Sequence, residues 1–580
     1  MSTLPIIDRT SKVFPLYSRA NVGEIFPDPI SPLNASIGFQ ACLETGWRQA
    51  FVACKVWDHD LYDQSAEKNI LPAFNNYLYI NMSLMRLFGV RVPGMTPEAV
   101  DLQYFGDMPG IPSYESEKRD FDENEAFSAS AGAWLMEEVL GATNLDAYDA
   151  DRAEVDRIRA ERPDLTGLSA VELRQRLVSF EPILVRLFKH HIEASLKSGV
   201  GLGAVAQFAA EVGRPELALT LVGGIGDVDS TGPSTGMWAL SRQAQSPEVA
   251  AVFDAGVAGL YSRLSSSTNP SVTAFVSQLN DFLQSWDFRG PSEWEIHATT
   301  WGVDPDLALA IIDNLRHAAE SADPAAGLSR RSKERQQAIT EIGELVAGNP
   351  EASGQFGVIV NAAALWLRGR ERGRTTAAML LHELRLAALE LGNRAVDRGE
   401  LRDARDIFML FDSELDSFVA DPASYKGVLA ERRTTYLQDF DLVPPFVVSG
   451  DVPPAETWER KSAQVADKLN IGEVITGVSG CPGIVRGKVR VLLTPDDPSA
   501  LEPDEILVSP LTDPSWTPLF MGASGVIVNV GAPFSHAAIV SRELGIPCVV
   551  SATNATRRLQ TGDEVELDGT TGAVTLLSRH

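Results

Sequence analysis

The chain has 580 residues, and its 50 Lys and Arg against 78 Asp and Glu leave a net charge of −28, which makes nucleic acid and anionic membrane poor partners. The length allows two to four domains with ample core. Cys42, Cys54, Cys481 and Cys548 are too scattered for a disulfide framework or a CxxC metal site, MSTLPIIDRTSK does not read as a signal peptide, and no apolar run reaches the length of a membrane span, so a soluble cytoplasmic protein is expected.

From the N-terminus, SRANVGEIFPDPISPLNAS (18–36) is broken by prolines and predicted to be mostly non-helical. The next four hundred residues carry helical spacing. Residues 171–201, 247–264 and 375–399 each read as a helix, and in the last of these Leu380, Leu384, Ala388 and Leu391 share a face before Gly399 stops it. GGIGDVDSTG (223–232) lacks the third glycine and the βαβ frame of a dinucleotide loop and is predicted to join helices. No Walker A or kinase glycine loop occurs. His59, His190, His191, His297, His317 and His382 have no ligand-like spacing, are expected to be structural or exposed, and predict no metal site. VPPFVVSGDVPPAE (443–456) favours stiff, extended chain through Pro444, Pro445, Pro453 and Pro454, as a swivel tether or a plain boundary would. Beyond it come short β-rich runs with turns such as Asp568-Gly569. The predicted architecture is a multidomain α + α/β protein: a large, mainly α-helical domain (1–442), a linker (443–472) and a small mixed domain (473–580).

The most informative residue is His536. The apolar run GVIVNV (525–530) predicts a strand, a loop of Gly531, Ala532 and Pro533 follows, Ser535 offers an N-cap hydroxyl, and AAIVSRELG reads as a helix closed by Gly545 and Pro547. His536 then sits on the first turn, where unpaired N–H groups and the helix dipole stabilise an anion. Imidazole is nucleophilic near neutral pH, so a histidine there can carry a phosphoryl group. A surface histidine at a helix start has the same pattern.

The stretches GCPGIVRGKVRVL (480–492), DEILVSPLTDPSWTPLF (504–520), APFSHAAIVSRELGIPCVV (532–550) and GDEVELDGTTGAVTLL (562–577) follow in an order that resembles the phosphohistidine swivelling domain of the PEP-utilising enzymes. That resemblance covers 473–580 and implies a β/β/α domain whose His536 is phosphorylated and carries the group between two distant sites. The sequence departs from the family pattern at Asn529, where a Glu is usual, at Gly531-Ala532 in place of a double glycine, and at Phe534, where the dikinases carry a regulatory threonine. Regulation of that type is not expected.

Three further segments, RANVGEIFPDPISPL (19–33), FRGPSEWEIHATTW (288–301) and LRGRERGR with LRDARDIFML (within 367–410), resemble the substrate-binding domain of rifamycin phosphotransferase-like proteins. The resemblance implies that Arg370 and Arg374 face the transferring phosphoryl group, that Glu293 or Glu24 serves as base, and that Arg289, Glu295 and Trp301 contribute to the acceptor site. Thr300-Trp301 stands where the family usually has Arg-Trp. Phosphoryl transfer needs positioning and charge neutralisation, which guanidinium groups supply, and Arg370 and Arg374 share a face if their segment is helical. A solvated basic patch, and a structural ion-pair cluster of Arg289, Glu293 and Glu295, are the plainer alternatives.

Neither the family's ATP-grasp domain nor its PEP-binding barrel is read in this sequence. The resemblance therefore implies that ATP and Mg²⁺ are bound by a separate ATP-grasp subunit, which splits ATP to AMP and phosphate and charges His536. Such split systems resemble phenylphosphate synthase and the 4-alkylphenol-phosphorylating enzymes, which makes a small aromatic hydroxyl compound entering catabolism the expected acceptor. The alternatives are an antibiotic phosphotransferase, a ligase subunit that activates a hydroxyl or carboxyl through phosphate, and a regulatory subunit with a vestigial histidine.

Overall fold

The computed structural model describes residues 10–57, 70–105, 108, 110–115, 125–320, 323–463, 468–493, 501–502, 504–512, 516–531 and 535–580. The expectations for His59, Ala532, Pro533 and Phe534 lie outside the described residues.

The N-terminal body is helical. Four helices position the site: the short α1 (Val22–Ile25), α2 (Glu181–Glu211), α3 (Pro324–Val346) and α4 (Pro350–Asp397). Helix α4 runs for 48 residues, starts at an Asn349 cap whose side chain accepts the N–H groups of Glu351 and Ala352, and ends before Gly399 at φ 73°. Its closest neighbour is α2. Small residues let the two backbones approach, since a Cβ on Gly201 would come within 3.0 Å of Ala363 Cα, and one on Gly373 within 3.0 Å of His191 Cα.

Two predicted helices are broken. Residues 171–201 divide at Phe180 into Ala170–Ser179 and α2, because Pro182 near the new N-terminus has no N–H to continue the first helix. Residues 247–264 divide into Pro247–Phe253 and Leu260–Ser265, where Gly256 (φ 95°) and Gly259 (φ 66°) take left-handed conformations that a helix cannot hold. GGIGDVDSTG is an interhelical loop, as predicted, with only a 3-10 turn at Asp229–Thr231.

The linker differs more. Strand β1 (Leu16–Ser18) pairs antiparallel with β4 (Ile80–Asn81) on one side and β6 (Val447–Ser449) on the other, beside a small hairpin of β2 (Ala73–Phe74) and β3 (Tyr77–Leu78). Strand β5 (Leu442–Val443) pairs with β7 (Glu459–Arg460), and Trp458 is buried with Tyr17, Phe74, Tyr77 and Tyr79. The prolines do keep this segment extended, but an extended apolar chain is also a strand in need of a partner, and β1 supplies one. Only the part beyond about residue 462 is left to join the two bodies.

The C-terminal body is an eight-stranded mixed sheet: β8 (Val474–Thr476), β9 (Val478–Cys481), β10 (Ile484–Val491), β11 (Ile506–Ser509), β12 (Gly525–Val528), β13 (Cys548–Val550), β14 (Glu564–Asp568) and β15 (Ala573–Ser578). Its order is β8-β15-β14-β10-β11-β12-β13-β9, with the β10–β11–β12–β13 run parallel. Alternation divides the core cleanly. Ile506, Val508, Ile527 and Val549 enter one apolar layer, while Leu507, Val526, Val528 and Val550 enter the other beneath α5 (His536–Leu544).

The bodies meet over a broad face. Met521 of the sheet domain inserts among Met237, Trp238 and Leu315, Asn314 donates to the Leu501 carbonyl at 3.3 Å, and the Gly224 N–H donates to Glu543 of α5 at 3.0 Å. Arg331 of α3 approaches Cys481. No helix of the described residues is long and apolar enough to cross a membrane.

Candidate active site

His536 takes the predicted position. Strand β12 runs into the loop at its carboxyl end, Ser535 adopts an extended cap conformation with its hydroxyl facing the Ala538 N–H, and Gly545 closes α5 at φ 77°. Because β12 and β13 are parallel, α5 is the crossover of a β–α–β unit, and His536 lies where such units place ligands. Asn529, at the position of the family's Glu, is tied to Thr556 by two hydrogen bonds of 2.7 and 3.0 Å and braces the loop from behind.

The histidine is not on the surface. It is 3% exposed, its backbone N–H donates to Glu24 Oε2 at 3.1 Å, and Thr512 Oγ1 lies 3.3 Å from its Nδ1. Burial, then the charges of Arg374, Arg370 and Arg289, push its pKa well below the ordinary histidine value, so the ring is neutral at pH 7. A neutral imidazole surrounded by guanidinium groups has the lone pair of a nucleophile in an environment suited to an incoming anion.

Arg370 and Arg374 are both on α4, on one face as their spacing required, and both line a cavity of about 140 Å³. Arg370 has no carboxylate within salt-bridge distance among the described residues, which leaves its charge uncommitted. Glu24, Ser535, Gly531 and Val530 line the same cavity, so the two bodies close it together. The remainder is mostly apolar, with Trp47, Met85, Phe88, Ile192 and Trp294 among its walls.

The other expected site residues separate into two groups. Arg289 and Glu293 are paired at 2.8 Å with both side chains 3% exposed, and Arg289 also donates to Thr375 at 3.1 Å; the pair stands behind His536 as a buried charge rather than in the cavity wall. Glu295 is buried among the Ser31 N–H and hydroxyl, the Asn34 amide and the His297 N–H, a constellation that holds loop 287–304 against the N-terminal segment. Trp301 stacks on Phe282 in a separate helical core with ring centroids 5.9 Å apart and does not line the cavity. Glu295 and Trp301 are thus not among the residues that line the cavity, although Trp294, next to Glu295, is.

Among the remaining histidines, His190 pairs with Asp151 at 2.6 Å, His382 is buried beside Thr300, His297 is half-buried against Tyr436, and His317 is exposed. His191 departs from the expectation. It lines the cavity beside Arg370 and Arg374, and its only sequence signal was its place one turn before Ser195 on a helix later crossed by α4. No group of three or more His, Cys, Asp or Glu that could hold a metal ion occurs among the described residues.

Comparison with known proteins agrees with this division. Residues 501–572 match the family model described as the PEP-utilising enzyme mobile domain, and residues 190–371 match that of the rifampicin phosphotransferase fourth domain. The first match contains His536, and the second runs from His190 through Arg370.

Among individual relatives, an uncharacterised protein of Mycobacterium tuberculosis is 27% identical over 583 residues, covering 97% of this chain and 61% of that protein. The chain thus spans about three fifths of that relative's length. An uncharacterised phosphotransferase, YvkC, of Bacillus subtilis is 28% identical over 312 residues, covering 53% of this chain and 37% of that protein. A rifampicin phosphotransferase of Streptomyces sviceus is 28% identical over 313 residues, with 53% and 35% covered.

Proposed function

We propose that this chain is a phosphotransferase component in which His536 receives a phosphoryl group from an ATP-grasp module on a separate subunit and delivers it to the hydroxyl of a small acceptor. One observation carries the reading: His536, on an anion-stabilising helix start, lies within the field of Arg370 and Arg374, which line a mostly apolar cavity together with its chain neighbour Ser535. Each component has a part in the chemistry. The neutral imidazole is the carrier, the two guanidinium groups offset charge spreading over the phosphoryl oxygens, and burial of His536 limits the access of water to the phosphohistidine. In this reading ATP and Mg²⁺ are bound by the partner, which splits ATP to AMP and phosphate.

The acceptor is a compact, largely apolar hydroxyl compound, a phenol or alkylphenol entering catabolism. The apolar walls favour a hydrocarbon body, and about 140 Å³ is small beside the roughly 300–1,000 Å³ of pockets for drug-sized ligands. The named rifampicin phosphotransferase relatives favour a second reading, in which the acceptor is an antibiotic hydroxyl.

The test uses ATP labelled in both its β- and γ-phosphates, since one of the two stays on the histidine and the other leaves as phosphate. With ATP and Mg²⁺ alone the chain should stay unlabelled; with an ATP-grasp partner, label should appear on His536 and disappear in His536→Ala. AMP release on addition of phenols or of rifamycins then separates the two acceptor readings. Label on another residue, or full labelling without a second protein, would contradict the proposal.

A further inference from the structure

Transfer to a hydroxyl releases a proton, and the two carboxylates nearest the site are already engaged. Glu293 is locked on Arg289 and Glu24 accepts the His536 N–H. His191 is placed differently. Its Nδ1 lies 3.2 Å from the main-chain carbonyl of Arg370, and a carbonyl can only accept, so the Nδ1 proton is donated there and the lone pair of the neutral ring resides on Nε2. Nε2 makes no hydrogen bond among the described residues, and the side chain lines the cavity with Arg370, Arg374 and Ser535. The ring is held in place by edge-to-face packing on Trp294 at 5.3 Å and by the tight crossing at Gly373.

We infer that His191 is the base that takes the acceptor's hydroxyl proton during transfer from His536, an inference that rests on the phosphotransferase reading above. The acceptor oxygen forms the new O–P bond as the P–N bond to His536 breaks, and that electron pair returns to the ring nitrogen. With its own proton on Nδ1, beside Thr512 Oγ1 at 3.3 Å, the His536 ring leaves as neutral imidazole. The hydroxyl proton passes to His191 Nε2 and then to water. Burial, then the charges of Arg370 and Arg374, lower the His191 pKa to about 3, so the ring is unprotonated and ready to accept. The phosphoryl group's negative charge offsets the same arginines while transfer is under way, which strengthens the base at the moment it is needed.

His191→Asn tests this, because the Asn amide can still donate to the Arg370 carbonyl while the Nε2 lone pair is removed. The full chain is phosphorylated on His536 with labelled phosphoramidate, with His536→Ala as the blank, and single-turnover transfer is followed to two acceptors. At about pH 8.5 phenol is still mostly un-ionised, as a tyrosine side chain is; 4-nitrophenol, made far more acidic by its nitro group, is ionised there and needs no base. His191→Asn should slow transfer to phenol by about 10²–10⁴-fold and change transfer to 4-nitrophenol only slightly. Equal losses on both acceptors would mean a purely structural role and overturn the inference, as would wild-type rates on both. Absence of transfer from the wild-type chain to any hydroxyl compound would instead remove the phosphotransferase reading, and the base with it.

Discussion

Arg370→Ala and Arg374→Ala should each slow transfer from phosphorylated His536 by roughly a hundred- to a thousandfold, the equivalent of about 2.7–4 kcal/mol for a lost transition-state contact. A single-turnover assay from the charged protein measures this step apart from charging. Lysine at either position should restore only part of the rate, since it keeps the charge and loses the guanidinium fork. Wild-type rates in both alanine variants would reduce the pair to a charged lining. Their place on the helix and at its start was legible because that information is local: RERGR (370–374) sets the arginines four apart on a helix, and PFSHAA writes cap, histidine and first turn in consecutive letters. His191 was not, because what distinguishes it is the carbonyl of a residue 179 positions away. Glu295 and Trp301 show another case, in which a residue within a resembling motif makes its contacts outside the cavity, Glu295 with the N-terminal segment and Trp301 in a neighbouring helical core.

At the scale of elements, α4 shows how the same substitution changes sign with its surroundings. Gly354 lies on an exposed turn of α4 with nothing near its missing side chain, so Gly354→Ala should stabilise the helix by about 0.5–1 kcal/mol. Gly392 lies on the same helix where a Cβ would overlap the carbonyl of Ala404, so Gly392→Ala should destabilise by about 1–3 kcal/mol in spite of alanine's better helix propensity. The urea midpoint of the helical domain should move in opposite directions for the two variants, and a stabilised Gly392→Ala would show that the 404–409 segment yields freely. Periodicity predicted α4's stop at Gly399 and the helical character of the domain. It could not register the breaks at Phe180 and at Gly256–Gly259, because apolar spacing continues across a kink. Nor could it show that proline-stiffened chain would be recruited by β1, since strand pairing depends on a partner more than four hundred residues away.

For the molecule as a whole, the contact between the two bodies contains its own titratable group. Glu543 of α5 is buried against the Gly224 loop, and burial pushes its carboxyl up to about 7; the Gly224 N–H, Arg331 and Arg542 act in the opposite sense, and Glu371 adds to the rise. In the separated state the carboxyl returns to its ordinary value near 4.5. The docked arrangement therefore binds the proton more tightly. Its stability is fully present below about pH 4.5 and declines as pH rises toward 7, by about 3 kcal/mol at most. Fluorescence transfer between dyes on the two bodies, followed from about pH 5 to pH 8, should report loosening with rising pH in the wild type and a flat profile in Glu543→Gln. An unchanged wild-type profile would show that Glu543 ionises without penalty. Sequence indicated that there are two bodies and which of them carries the histidine; it held no trace of this contact, whose loop had been read only as a connection.

The clasp of β6 on β1 sets a leash. Ser462 is bound to Asp441 on the helical side and Leu469 to the Arg558 carbonyl on the sheet side, so six residues separate the two anchors. Even drawn taut they reach only about 20–25 Å. Under the proposed function, a phosphoryl group on His536 is moored by so short a line that its donor has to berth within that reach.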